Sequence, residues 1–161
     1  MAILNSVSAG GIGYGRYDRK IAAESRALHL YHHVRSRARL GQVWSFLSGR
    51  SQRLLNLAEV QAPSTGSDHD ETRTRTIPIS RIRGSGSRSR SGDFDADFRP
   101  LKAHIRDRWL SVATARQLGV SLPPVELIRI DEIYFVTDGH HRISVAQAMG
   151  QPEIEAKVMV L

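Results

Sequence analysis

Residues Ile133–Arg142 read IYFVTDGHHR. The run Ile133 to Val136 is strand-like, and after Thr137 the chain passes an acid, a glycine, two histidines and an arginine. Beyond them Ile143, Val145, Ala146 and Met149 recur at helical spacing until Gly150, so a strand gives way, through a glycine turn, directly to a helix. Such a junction offers first-turn amides without intrahelical partners, and the helix dipole adds about half a positive charge. Phosphate is its natural guest. Gly139 admits a positive φ and the close approach of a ligand. Arg142 falls in the first helical turn, where a fixed positive charge is unfavourable unless an anion offsets it, and its planar fork matches phosphate oxygens. His140 and His141 add donors that titrate near neutrality. Asp138 repels phosphate, so its expected tasks are to cap the helix, orient a histidine or hold a divalent cation. The bland alternative is a crowded polar turn. A metal site made of Asp138, His140 and His141 is less apt, because neighbours in a tight turn rarely converge on one ion.

Working outward, VELIRI (125–130) and the run from Ile133 are separated by Asp131-Glu132 and predict a two-strand hairpin. IEAKVMVL (154–161) is a closing strand. Upstream, Pro100 is expected to open a helix from about Leu101 to Leu118, with Ile105, Trp109, Leu110, Val112 and Ala113 on its apolar side and Gly119 as its stop. Thr72 to Ile82 alternates apolar or β-branched residues with charge, a half-buried strand that Pro78 marks as an edge. The order is strand, helix, strand, strand, helix, strand, which predicts an α+β domain over residues 72–161 with a small mixed sheet. Gly84 to Asp93 (GSGSRSRSGD) holds nothing that would be buried. The longer stretch Gly84 to Asp97 is either a second ligand loop, with Arg88 and Arg90 on phosphates and Asp93, Asp95 or Asp97 on magnesium, or a flexible connector.

The amino-terminal third looks different. From Tyr17 to Leu40 the residues Ile21, Ala22, Leu28, Tyr31, Val34 and Ala38 predict a helix that Gly41 stops. Val43, Trp44, Phe46 and Leu47 follow, and Ser51 is placed to cap a short helix carrying Leu54, Leu55, Leu57, Ala58 and Val60. Residues 1–62 are therefore expected to form a basic helical extension built as a hairpin, joined by a linker at 63–71. His29, His32 and His33 share one helical face, and a solvated face is expected of them rather than a metal site. Gly11, Gly13 and Gly15 lack the strand and acidic partner of a dinucleotide fingerprint and are assigned to a mobile tail. Trp44 and Trp109 are expected as core or interdomain anchors.

The absence of cysteine excludes disulfides, thiolate nucleophiles and cysteine metal sites. No stretch of 18 apolar residues occurs, and the opening MAILNSVSAGG has no basic leader region, so neither a membrane span nor secretion is expected and the expected location is cytoplasmic. The net charge is +7, and it is uneven: residues 1–62 hold 9 Lys/Arg against 3 Asp/Glu, whereas residues 93–161 hold 8 against 10. A basic half suits a phosphate-rich partner, DNA among them. Only 3 of the 23 basic residues are lysine, so an arginine-biased solvated surface explains the charge equally well.

Pro123-Pro124-Val-Glu-Leu, the hairpin, Tyr-Phe-Val-x-Asp-Gly-His-His-Arg and the alanine-bearing helix together resemble the ParB/sulfiredoxin superfamily over about residues 72–161. The resemblance implies a loop of Gly-x-x-R type that holds nucleotide phosphates at the head of a helix. In sulfiredoxins the loop is Gly-Cys-His-Arg and the cysteine does the sulfinic-acid chemistry. Here His140 stands in its place, so that activity is expected to be absent, with Gly139, His141 and Arg142 left as the phosphate grip. ParB proper has Gly-Glu-Arg-Arg, serves CTP or another nucleotide and continues into a helix-turn-helix DNA reader, which is not expected here. ADP-dependent serine kinases of the superfamily carry Asp-Gly-His-x-Arg, the nearest local match, and need a glutamate base that has no clear counterpart. The resemblance thus implies a nucleotide-binding domain for ATP, ADP or CTP with Mg2+ helped by Asp138. It acts either as a phosphotransferase or phosphohydrolase with His140 near the reacting phosphate, or as a ligand-gated switch. The alternative is a DNA-associated module, a nuclease among its forms, with the basic amino-terminal helices on the duplex.

Overall fold

A computed structural model describes residues 11–49, 53–60 and 73–160. Its centre is a six-stranded mixed sheet. The strands are β1 (Leu55–Asn56), β2 (Arg73–Pro78), β3 (Ile82–Ser85), β4 (Val125–Ile130), β5 (Ile133–Asp138) and β6 (Glu153–Val160), in the spatial order β1-β3-β5-β4-β6-β2. β4 and β5 form the expected antiparallel hairpin, and β6 runs parallel to β4 and antiparallel to β2. β3 lies parallel to β5, and β1 parallel to β3. β2 is an outer strand, the place where Pro78 costs no ladder hydrogen bond.

Among the described residues four helices accompany the sheet: α1 (Gly11–Ser48), the single turn α2 (Arg88–Ser91), α3 (Arg106–Gln117) and α4 (His140–Ala148). The α+β class and the amino-terminal helix are as the sequence predicts. Ala23, Ala27, Tyr31, Val34 and Ala38 are buried on one stripe of α1, which packs against α3. Small residues at Ala23 and Ala27 permit close approach there, while Tyr31 lies 5.4 Å from the Trp109 ring. Trp109 is fully buried and its Nε1–H donates to Ser144 Oγ of α4 at 2.8 Å. One side chain therefore joins three helices.

Several expectations need correction. Among the described residues the amino-terminal third holds one 38-residue helix rather than a helical hairpin, and that helix includes Gly11–Gly15, assigned above to a tail. Gly41 does not stop it, because an interior glycine costs only about 1 kcal/mol. The stop is Gly49, whose φ of 67 is the left-handed turn that ends helices. Residues 54–60 form β1 and a 3-10 turn, with Asn56 Oδ1 accepting from Ala58 N–H at 3.1 Å, rather than a helix. Ser51 and the expected linker 63–71 lie outside the described residues. The strand predicted over 72–82 is two strands separated by a 3-10 turn at Ile79–Arg81. α3 begins at Arg106, five residues after Leu101. Trp44 is 67% exposed and anchors nothing among the described residues. The Gly84–Asp93 stretch does supply buried residues: Gly84 and Ser85 lie inside β3, where a side chain on Gly84 would run into the Phe135 ring.

Candidate functional site

Parallel neighbours end on the same edge of a sheet, so the loops that follow β3 and β5 come together. Gly86 N–H donates to Val136 O at 2.9 Å and ties them. After β5 the chain turns at Gly139, with φ 104 and ψ 18, and enters α4. A Cβ there would lie 2.5 Å from Val125 Cγ1, so both the backbone conformation and the space demand glycine. After β3 the chain forms α2 and then buries Phe94 and Phe98 completely. A segment that reads as low complexity is in fact pinned by two aromatic rings.

Arg142 lies across the junction. Its Nη1 donates to Pro123 O at 2.6 Å and Pro124 O at 2.8 Å, and its Nη2 pairs with the Asp138 carboxylate. The side chain is only 14% exposed. The fork expected on phosphate oxygens is thus engaged with two carbonyls that precede β4. Arg142 braces α4 against the Pro123-Pro124 turn, and Asp138, itself largely exposed, holds it in place.

His140 and His141 diverge. His140 is enclosed: its ring stacks on Phe94 at 6.0 Å, its Nε2 lies 2.8 Å from Ser85 Oγ, and its Nδ1 is buried with no hydrogen-bond partner. That geometry fastens α4 to the end of β3; it does not present His140 to a reacting group. His141 is half-buried, edge-on to Phe94 at 5.4 Å, and its Nε2 is enclosed with no partner among the described residues. Burial, and then the charge of Arg90, push both imidazoles down to about 4. Arg108 and His104 push His141 the same way, while Asp93 opposes them. Both rings are therefore neutral at physiological pH.

The residues around His141 form a positive rim. Arg90 on α2 and Arg108 on α3 are exposed and close enough to depress the His141 pKa. His104, 68% exposed, is held through Nε2 by Asp93 Oδ1 at 3.1 Å. Arg88 is exposed on the same turn as Arg90. Asp95 and Asp97 are occupied otherwise: Asp95 Oδ1 accepts from the N–H groups of Asp97 and Arg99 at 2.9 and 2.8 Å, and Asp97 pairs with Arg99 at 2.8 Å. Burial raises the Asp95 pKa. Among the described residues no three His, Asp or Glu side chains come together as a metal site. Asp138, the carboxylate expected beside a magnesium ion, is paired with Arg142. His29, His32 and His33 are exposed on α1, the solvated face expected of them.

Sequence reasoning overlooked Ser85, Phe94, His104 and Arg108. Phe94 was hidden by the polar residues around it, and Arg108 looks like any charge on a helix surface. Only the packing of α3 beside the loop shows that it belongs to the rim.

The chain matches no family model and no curated protein. Among solved structures it is similar to the crystal structure of sulfiredoxin from Arabidopsis thaliana, with 24% identity and a TM-score of 0.38 over 55% of this chain and 86% of that one. Among the described residues no helix is long and apolar enough to cross a membrane.

Proposed function

We propose that the chain binds a phosphate-bearing nucleotide, ATP, ADP or CTP, where the β5–α4 junction meets the α2 segment, with Mg2+ accompanying the phosphates beside Asp138. The observation that carries this is His141, whose Nε2 is buried without a partner among the positive charges of Arg90 and Arg108. An arriving anion offsets the cations around this neutral imidazole, favours its protonated form and raises the ring's pKa. Gly139 lets the turn pack against Val125, Arg90 and Arg108 supply the charge, and Arg142 and Asp138 keep the turn rigid. Binding draws a proton onto His141 as the pH falls below neutrality. His104, oriented by Asp93, is the exposed imidazole available to accept a proton if phosphotransfer or phosphohydrolysis follows. Tight binding without product identifies a ligand-gated switch instead.

The test is a thermal-shift panel of ATP, ADP, CTP and inorganic phosphate with Mg2+ on the wild type, Arg90→Ala and His141→Gln. A ligand at 100 times its dissociation constant adds about 2.7 kcal/mol to the wild type, and both variants should lose most of that gain. Arg90 is exposed, so its loss leaves the fold intact. If no ligand stabilises the wild type, or the variants respond as the wild type does, the proposal is wrong.

A further inference from the structure

The buried stripe of α1 begins at Ala23. Continued one to two turns toward the amino terminus, the same face carries Arg16, Arg19 and Lys20 where apolar residues would be needed for further packing. They meet no core, because α3 ends at Gln117. Instead Arg16, Arg19, Lys20, Arg26 and Tyr17 line a groove of about 720 Å³ floored by Gln117 and Leu118. Arg26 is anchored through Nε on Gln117 Oε1 at 2.9 Å, and Arg19 through Nε on Gly15 O at 3.1 Å. Among the described residues no carboxylate lines the groove; Glu24, beside it, approaches Lys20 to 3.9 Å.

The basic side chains continue past the groove. Arg19, Arg26, His33 and Arg37 are spaced seven, seven and four residues apart, which keeps them on one edge of a helix and carries the row about 27 Å along its axis. His33 and Arg37 border a second recess, of about 250 Å³, beside Phe98, Gln147 and the Asp97–Arg99 ion pair. Gathering like charges in the concave groove raises the electrostatic energy of the free protein, and a compensating anion lowers it. A single small anion would occupy only the groove. A row of about 27 Å matches the axial length of about eight nucleotides of a B-form strand.

We infer that this edge of α1 is a sequence-independent binding track for the phosphodiester backbone of a nucleic acid, a site distinct from the β5–α4 junction. Phosphates sit against Arg16, Arg19, Lys20 and Arg26, and the strand leaves along His33 and Arg37. Tyr17, exposed at the groove's mouth, offers a ring to a base only where the strand is single.

Fluorescence anisotropy with labelled oligonucleotides of about 20 nucleotides, single-stranded and duplex, at salt from about 50 to 200 mM tests this. The wild type should bind at least one form, with affinity falling steeply as salt rises. The variant Arg16→Gln/Arg19→Gln/Lys20→Gln/Arg26→Gln should bind at least tenfold more weakly, with a log–log salt slope shallower by about 0.9 for each phosphate that is no longer neutralised. The control Arg81→Gln/Arg83→Gln/Arg129→Gln/Lys157→Gln removes the same charge away from α1 and should bind like the wild type. Tighter binding of either form supports the track and says which strand state it prefers. Absence of binding by both forms overturns it, as does equal weakening by the two variants or wild-type binding by the α1 variant. Should that variant lose helicity, Arg19→Gln/Arg26→Gln reads the same slope from two exposed side chains.

Discussion

Arg142 shows how a residue type can be read correctly and its employment misjudged. The three partners of its guanidinium, two carbonyls and Asp138, need a planar fork that lysine lacks. Arg142→Lys should therefore destabilise the protein by about 1–3 kcal/mol, the cost of leaving partly buried acceptors unpaired, while Arg90→Ala changes stability by less than about 0.5 kcal/mol. Urea denaturation of the two variants separates a brace from a ligand-binding side chain; equal, small effects would remove the brace. Gly139→Ala combines a disfavoured φ with a collision on Val125 and should cost about 2–4 kcal/mol in the same assay. The two histidines set a pH dependence. Above the ordinary histidine value of 6.5 both folded and unfolded chains carry them neutral. Below it the unfolded chain takes up protons that the folded chain accepts only near 4. Stability should therefore fall as the pH is lowered from 7 to 5, with a slope of up to about 1.4 kcal/mol per pH unit for each histidine, and His140→Gln should flatten it. Stability that rises on acidification over this window would contradict the neutral, buried rings.

At the level of elements, α1 divides into two parts that ought to respond differently. Ala27 and Tyr31 are enclosed against α3, whereas Trp44 and Phe46 are 67% and 90% exposed. Ala27→Leu should overpack the seam and cost about 1–3 kcal/mol, while Trp44→Ser or Phe46→Ser should leave stability within about 0.5 kcal/mol. Thermal melts of the three variants decide it, and a large loss at Phe46 would mean that the carboxy-terminal end of α1 is packed. The helix periods of α3 and α4 and the alternation of β6 were legible because each buries one stripe or one face, and burial writes a period into the chain. β1 and β3 left no such record. β1 is two residues long, and β3 relies on Gly84 and Ser85, small residues chosen by the closeness of Phe135 and His140, so composition there resembles a connector.

For the molecule as a whole, Trp109 is the point where α1, α3 and α4 meet, and the core is continuous from Ala27 and Tyr31 through Trp109 to the strands. α1 is thus expected to unfold with the sheet and not before it. The chain has two tryptophans, so Trp44→Phe leaves Trp109 as the sole reporter. Its fluorescence transition in urea should coincide with loss of far-ultraviolet circular dichroism, the test of a two-state change; an earlier dichroism transition would show α1 melting by itself.

By itself the sequence determined the α+β class, the hairpin of β4 and β5, the helix that follows Gly139 and the glycine turn between strand and helix, because each depends on local periodicity or on a backbone conformation that few residues adopt. Tertiary structure alone decided which cations surround that turn, what Arg142 holds and how far α1 extends. Those outcomes depend on groups distant in the chain, on the Pro123 and Pro124 carbonyls, on Phe94 beneath the histidines and on where α3 ends under α1. Neighbours of that kind are set by packing geometry, and no spacing along the chain encodes them.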